Sequence, residues 1–343
     1  MPTAMWGPTP LPYITSYNRM CMNMTVPLEK GKARLLIPEK KKSGKIKKHF
    51  VHLFILPALL FYIVFEIYPI LSAFLNSFYS FTGYRREAFI GLENFIRLFT
   101  EQPFKGMFTN AVTHNLVFLI VTIVSQLAVS FMLALMINSI VRGREFFKLV
   151  YFIPKLLSVI VVGFLFSLIL NPTHGALNSF LNLIGLDFLA RPWLGDTDTA
   201  LVTIILVHSW YTIGFSVLIF LAGLQAIPGE IYESARLDGA SGLKMLTKIT
   251  IPLLMPSIMI LSILTIIESF ETFELIFAME GSSGGPYYST DVLGTFFYRL
   301  AFGSVEGGSS IGLGSAVAII LFLIVASVSA VSLFFFRRKE LDY

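Results

Sequence analysis

Apolar residues in this chain fall in six long runs separated by polar stretches rich in glycine and proline. The runs lie near 50–79, 111–138, 149–171, 200–224, 256–279 and 312–336. Each is long enough, at roughly 20 helical residues, to cross about 30 Å of hydrocarbon. Backbone groups inside lipid meet no water, so a spanning segment must satisfy them within its own helix. The pattern therefore predicts an all-α membrane protein with six transmembrane helices. Ten-residue segments of strict alternation are absent, which excludes an outer-membrane barrel. The segments near 80–110, 172–199 and 280–311 carry Gly, Pro, Asn and aromatics, as in Asn171-Pro172 and Gly284-Gly285-Pro286. They are expected to form turns and short surface helices over one mouth of the bundle.

Composition agrees with a lipid-facing surface. Only 14% of the 343 residues are charged while 55% are hydrophobic, against about a quarter charged in a typical soluble domain. The mean hydropathy is +0.75. A net charge of +5 does not point to nucleic acid, because the cations sit at the edges of apolar runs and in the amino-terminal 48 residues. Of the 26 lysines and arginines, only Arg85, Arg86, Arg97, Lys105, Arg191 and Arg299 fall on the opposite side of the predicted topology from the rest. Arg142, Arg144, Lys148 and Lys155 join the basic tail, and so do Arg236, Lys244, Lys248 and the Arg337-Arg338-Lys339 end. This bias predicts that both termini are cytoplasmic. Residues 1–48 then form a basic cytoplasmic tail, partly disordered, followed by a transmembrane domain over 49–337 and a cytoplasmic end over 338–343. No apolar core with a cleavage site opens the chain, so a secretory signal peptide is not expected. With Cys21 alone, neither an internal disulfide nor a cysteine metal site is expected.

Between the fourth and fifth runs, residues 228–252 are too long and too patterned for a plain connector. Pro228 and Gly229 open a helix, with Glu230 and Glu233 expected in its first turn, where negative charge suits the helix dipole. Asp238-Gly239 should end it, since glycine readily adopts the left-handed conformation of a helix stop. A second short helix carrying Leu243, Leu246 and Ile249 leads into Ile251-Pro252. Such an elbow suits docking into a partner's groove, and it equally suits a helix resting on lipid headgroups.

Glu233, Ala235 and Gly239, followed by Ile249-Thr-Ile-Pro252, resemble the cytoplasmic loop signature of permease subunits in bacterial binding-protein-dependent ABC importers. Ser234 and Ile251 depart from that signature and keep its small and aliphatic character. Gly91-Leu-Glu-Asn-Phe95, Phe152-Ile-Pro154, Asn171-Pro172 with Gly175 and Asn178, and Gly284-Gly285-Pro286 with Ser289-Thr290 follow in the order of the carbohydrate-uptake branch. The resemblance implies a coupling helix between helices 4 and 5 that seats in an ATPase subunit. It assigns that contact to Glu233, with Ala235 and Gly239 allowing close approach, Arg236 and Asp238 as polar contacts, and Pro252 closing the element. It also implies a second permease subunit, a distinct paralogue of this one, two ATPase subunits and a periplasmic or lipid-anchored solute-binding protein. The cargo it implies is an oligosaccharide or sugar derivative, and the setting a bacterial inner membrane.

No Gly-x4-Gly-Lys-Ser/Thr loop occurs, so this chain has no visible phosphate cradle, and ATP with Mg is expected on a partner. No metal or catalytic motif appears either, and a transport subunit is expected rather than an enzyme. Polar residues at membrane depth are costly enough to suggest function. Glu268, Glu271 and Glu274, interleaved with Phe270 and Phe273, are candidates to line the substrate path, together with Trp210 and Tyr211. Any of the carboxylates would equally snorkel to the surface or pair with a neighbour. Glu66, Asn115, Gln126 and His208 are weaker candidates, since such residues often serve as interhelical hydrogen-bond partners. In the outer loops, Gly91, Asn94, Gly285, Pro286, Tyr287 and Tyr288 are candidates for the binding-protein contact, or else only shape those loops. An ion-coupled secondary transporter remains the rival reading, distinguished by having no patterned docking loop.

Overall fold

A computed structural model describes residues 48–139, 143–303 and 310–337. The expectations for the basic tail up to 47, for Arg142 and for the end at 338–343 lie outside the described residues. The chain divides into two units, residues 1–60 and 61–343. Helix α1 (Lys48–Tyr62) begins in the first, and in the second a five-residue π-turn leads to α2 (Tyr68–Asn76).

The second unit continues with a hairpin, β1 (Tyr79–Thr82) and β2 (Arg85–Phe89), paired antiparallel with a bulge between Tyr79 and Phe81. There follow α3 (Glu93–Thr100), α4 (Phe104–Val124) and, across a π-turn, α5 (Ser130–Ser139). Next come α6 (Arg144–Phe152), α7 (Val159–Ile169), α8 (Ala176–Leu183) and α9 (Ala200–Ala226). The elbow holds α10 (Gly229–Leu237), α11 (Gly242–Met245) and α12 (Ile251–Leu253). The chain closes with α13 (Met255–Phe270), α14 (Phe273–Glu280), α15 (Leu293–Phe302) and α16 (Ile311–Arg337).

Among the described residues, four apolar helical stretches are long enough to cross a membrane: Ile55–Asn76, Phe104–Ser139, Ala200–Ala226 and Ile311–Phe335. Two more spans count only as bent pairs. Arg144–Leu156 meets Val159–Ile169 at 93°, and Gly242–Leu253 meets Met255–Phe270 at 68°. The third predicted run is therefore not a straight rod. Pro154 supplies no N–H, and Leu157 and Ser158 are extended, with ψ of 151° and 137°. The fifth run, expected as one helix over 256–279, splits at Glu271 and Thr272, where ψ rises from its helical value to 22° and 2°. The hairpin was not expected in the first outer segment, because bulged pairing over so few residues leaves no regular alternation to read.

Among the described residues, three apolar clusters hold the bundle. Phe118, Ile204, Ile205 and Leu275 centre the first, Leu98, Phe296, Leu300 and Val317 the second, and Phe220, Leu221, Leu254 and Leu261 the third. Close helix crossings depend on small residues. A Cβ on Gly214 of α9 would lie 1.8 Å from the Tyr151 carbonyl of α6, and one on Gly163 of α7 would lie 2.6 Å from Ala278 of α14. Such contacts let backbones approach where lipid offers no hydrophobic drive for packing.

Candidate functional site

The break at Glu271–Thr272 organises the polar chemistry of the bundle. On a continuous helix, residues three and six positions apart drift round the axis by about 60° and 120°. Because α13 stops at Phe270 and α14 restarts at Phe273, Glu268, Glu271 and Glu274 all line one cavity of about 200 Å³. Lys155, His208, Tyr211, Thr212 and Thr272 complete its polar wall. Lys155 donates to Glu268 Oε1 at 3.0 Å, and its ammonium lies 4.9 Å from the centre of the Tyr211 ring. The Tyr211 hydroxyl donates to the Leu157 carbonyl at 3.1 Å, fixing the ring against the bend in the third span. In the sequence Lys155 reads only as one of the charges on the cytoplasmic side. Its place one residue after Pro154, inside an otherwise apolar run, was the available signal.

Other expected pathway residues lie elsewhere. Phe270 is 3% exposed and packs in the core, while Phe273 stacks with Phe277 and Tyr298 at ring distances of 5.4 and 5.3 Å. Trp210 is exposed on the far face of α9, with its ring 5.2 Å from that of Phe166. Phe270 and Phe273 both turn away from the cavity that their carboxylate neighbours line. Gln126 is buried between α4 and α9, donating to Thr212 Oγ1 at 2.5 Å and accepting from Ser216 Oγ at 2.6 Å. Asn115 accepts from the Leu293 backbone N–H at 2.8 Å and donates to Ser269 O at 3.3 Å. Both act as interhelical ties. Glu66 is exposed on the π-turn after α1.

The elbow forms as the residue pattern predicts. Glu230 lies in the first turn of α10, with Glu233 in the turn after it rather than in the first. Gly239 has φ of +80°, its N–H reaches Arg236 O at 3.0 Å, and the Ala240 N–H reaches Ala235 O at 2.9 Å. This pair of bonds closes the helix as a Schellman stop. Ala235 is buried, whereas Glu233, Arg236 and Asp238 are exposed. Leu237, at 89%, and Leu243, at 73%, project apolar surface from the tip. Tyr232 Oη sits 3.4 Å from Thr250 Oγ1, tying the two limbs together. Pro252 and Pro256 flank the second bend, beside a recess of about 570 Å³ at the elbow's root.

At the end of α9 away from the elbow lie the loops that carry Gly91, Asn94 and Gly284–Asp291. Asn94 is 1% exposed and donates to Ser77 O at 2.8 Å and Tyr79 O at 3.0 Å. It clasps the hairpin and offers no surface, contrary to its expected role as a contact, while Gly91 makes the turn before it with φ of +59°. The loop over Gly284–Asp291 is anchored from below. Arg299 makes two bonds to Asp291, at 2.8 and 2.6 Å, and both side chains are buried. On this base Gly285 and Pro286 raise Tyr287, 93% exposed, with φ of +52° at Tyr287 and +61° at Tyr288. Burial pushes the Glu280 carboxyl, at the root of the loop, up to about 7.

Bent spans around a polar cavity, with a protruding elbow at one end and a rigidly seated loop at the other, define a membrane transport subunit. Among the described residues no cluster of His, Cys, Asp and Glu could hold a metal ion. Residues 126–340 match the family described as binding-protein-dependent transport system inner membrane component, and the chain belongs to that family. It is 33% identical to a probable ABC transporter permease protein, YurN, of Bacillus subtilis, over 84% of this chain and 96% of the relative. It is 31% identical to the multiple sugar-binding transport system permease protein MsmF of Streptococcus mutans, over 86% and 98%. A solved bacterial ABC transporter involved in import of the acidic polysaccharide alginate superposes with a TM-score of 0.70 at 25% identity, over 84% of this chain and 96% of that one.

Proposed function

We propose that this subunit forms half of the path for a carbohydrate through a bacterial inner membrane and is worked by a separate ATPase that grips the elbow at 228–252. A solute-binding protein delivers the cargo to the opposite face, and a second, paralogous permease supplies the other half of the path. Residues 49–337 make up the permease domain, with both termini in the cytoplasm. ATP and Mg act on the ATPase alone. The sugar and alginate cargoes in the names of similar proteins support the carbohydrate reading.

One observation carries the mechanism. The elbow's second limb, Gly242–Leu253, runs through a 68° bend directly into α13, and α13 carries Glu268 at the cavity. A tilt imposed on the exposed tip is thus delivered to the helix that lines the path, through a joint stiffened by the Tyr232–Thr250 contact. Glu233, Arg236 and Asp238 offer the tip charged contacts, and Leu237 offers a wedge for an apolar slot. On the other face, Tyr287 is the residue the binding protein meets first.

Vesicles reconstituted with the full importer should accumulate labelled saccharide only with ATP and binding protein present. Accumulation by vesicles holding this polypeptide alone, driven by an ion gradient, would overturn the reading.

A further inference from the structure

The cavity in the bundle is unbalanced in charge. Three carboxylates, Glu268, Glu271 and Glu274, face one ammonium, and Lys155 is already engaged by Glu268 at 3.0 Å. Among the described residues, Glu271 and Glu274 have no ion-pair partner. A second, independent feature lies in the wall of the same space. His208 is 6% exposed and lines the cavity wall, yet its Nδ1 meets no hydrogen-bond partner. The Phe118 ring, 5.1 Å away and edge-on, occupies the apolar side of the imidazole. A buried polar atom without a partner is costly, and a hydroxyl or amine in the cavity would supply one.

We propose that this cavity is a charge filter in the cargo path. It accepts neutral and amino-bearing saccharides and repels carboxylated ones, with Glu271 and Glu274 as the discriminating residues. Glu271 and Glu274 are exposed at the open side of this space, where they attract a cationic guest and repel an anionic one as it enters. The two unpaired carboxylates then decide among guests by charge. This inference rests on the import reading for the word cargo, but the sign of the potential does not depend on it.

The test uses the assembled importer in membranes, with Cys21→Ser removing the native thiol and Val159→Cys placing one on the cavity wall. Labelling rates are compared for a trimethylammonium methanethiosulfonate and a sulfonate methanethiosulfonate, each divided by its rate with a free small thiol. The filter predicts a cation-to-anion ratio at least tenfold above that of the free thiol, falling severalfold when Glu271→Gln and Glu274→Gln are added. A ratio equal to the free thiol's, or one unmoved by the two substitutions, overturns it, as does a thiol inert to both reagents. Tyr211→Cys repeats the measurement should Val159→Cys fail to assemble.

The cargo class is read in a second arm with a neutral methanethiosulfonate. A glucosamine trimer should protect the thiol severalfold more than a galacturonic acid trimer at equal concentration. Equal protection, stronger protection by the galacturonate, or none by either sugar overturns the assignment of class. Neither arm requires ATP, so loss of the import reading would show separately, as absent ATP-dependent uptake beside an intact cation preference.

Discussion

Asp291 and Arg299 are drawn from one loop and the helix that follows it, and together they bury a full ion pair at the base of the loop over 284–291. Thr295 Oγ1 adds a 2.5 Å bond to Asp291 Oδ1, and the Arg299 guanidinium lies 4.6 Å from the Tyr288 ring centre. Removing one partner of such a pair strands a buried charge. Asp291→Asn should therefore cost about 3–5 kcal/mol, seen as a thermal midpoint several degrees lower in detergent, while Asp291→Leu with Arg299→Met loses less. Glu280 acts in the other direction with pH. Burial raises its folded value from 4.5 to about 7, so the folded loop holds a proton that the unfolded chain gives up across that window. The packing of residues 281–291 should weaken as pH climbs through 7. Hydrogen exchange there, corrected for intrinsic rate, should be slower at pH 5.5 than at pH 8, and Glu280→Gln should level the two. At this scale the sequence showed which residues carry charge but not which meet. Lys155 and Glu268 are more than a hundred positions apart, and nothing local announces that a bend at Pro154 brings them to 3.0 Å.

Among the elements, the elbow was the most legible. Pro228 at its start, Gly239 at its turn and Pro252 at its end are residues whose backbone preferences fix local structure without help from distant contacts. Its exposed Leu237 follows from the helical register but gains meaning only in three dimensions, as apolar surface at a tip. Leu237→Asp should leave the subunit folded and lower ATP-driven uptake about tenfold, measured beside its membrane level. The broken elements were the least legible. Glu271 and Thr272 are ordinary helix-compatible residues, and the break between α13 and α14 arises from tertiary packing rather than from any glycine or proline. For the same reason Phe270 and Phe273 were expected beside the carboxylates, whereas one lies in the core and the other against Tyr298. The outer loop mixes both cases. Its glycines announced a turn, while the left-handed Tyr288 beside the exposed Tyr287 is held by contacts from Asn110 and Arg299. Replacing both tyrosines by alanine should weaken stimulation of the importer's ATPase by the binding protein severalfold.

Across the whole molecule, the apolar runs were read from hydropathy alone, because the lipid requirement for internally bonded backbone leaves few alternatives. Two of the six runs are bent, and the bends connect the ends of the subunit to its middle. The elbow enters α13 through one of them, and the other places Lys155 at the cavity. In the function proposed above, the subunit is a lever whose tip is gripped by the ATPase and whose shaft lines the path. ATP-driven saccharide uptake by the reconstituted importer carrying Glu233→Lys, normalised to the amount of subunit in the membrane, probes that lever most directly. The account predicts that uptake is lost while the subunit remains inserted at its usual level; uptake at the unaltered rate would contradict it.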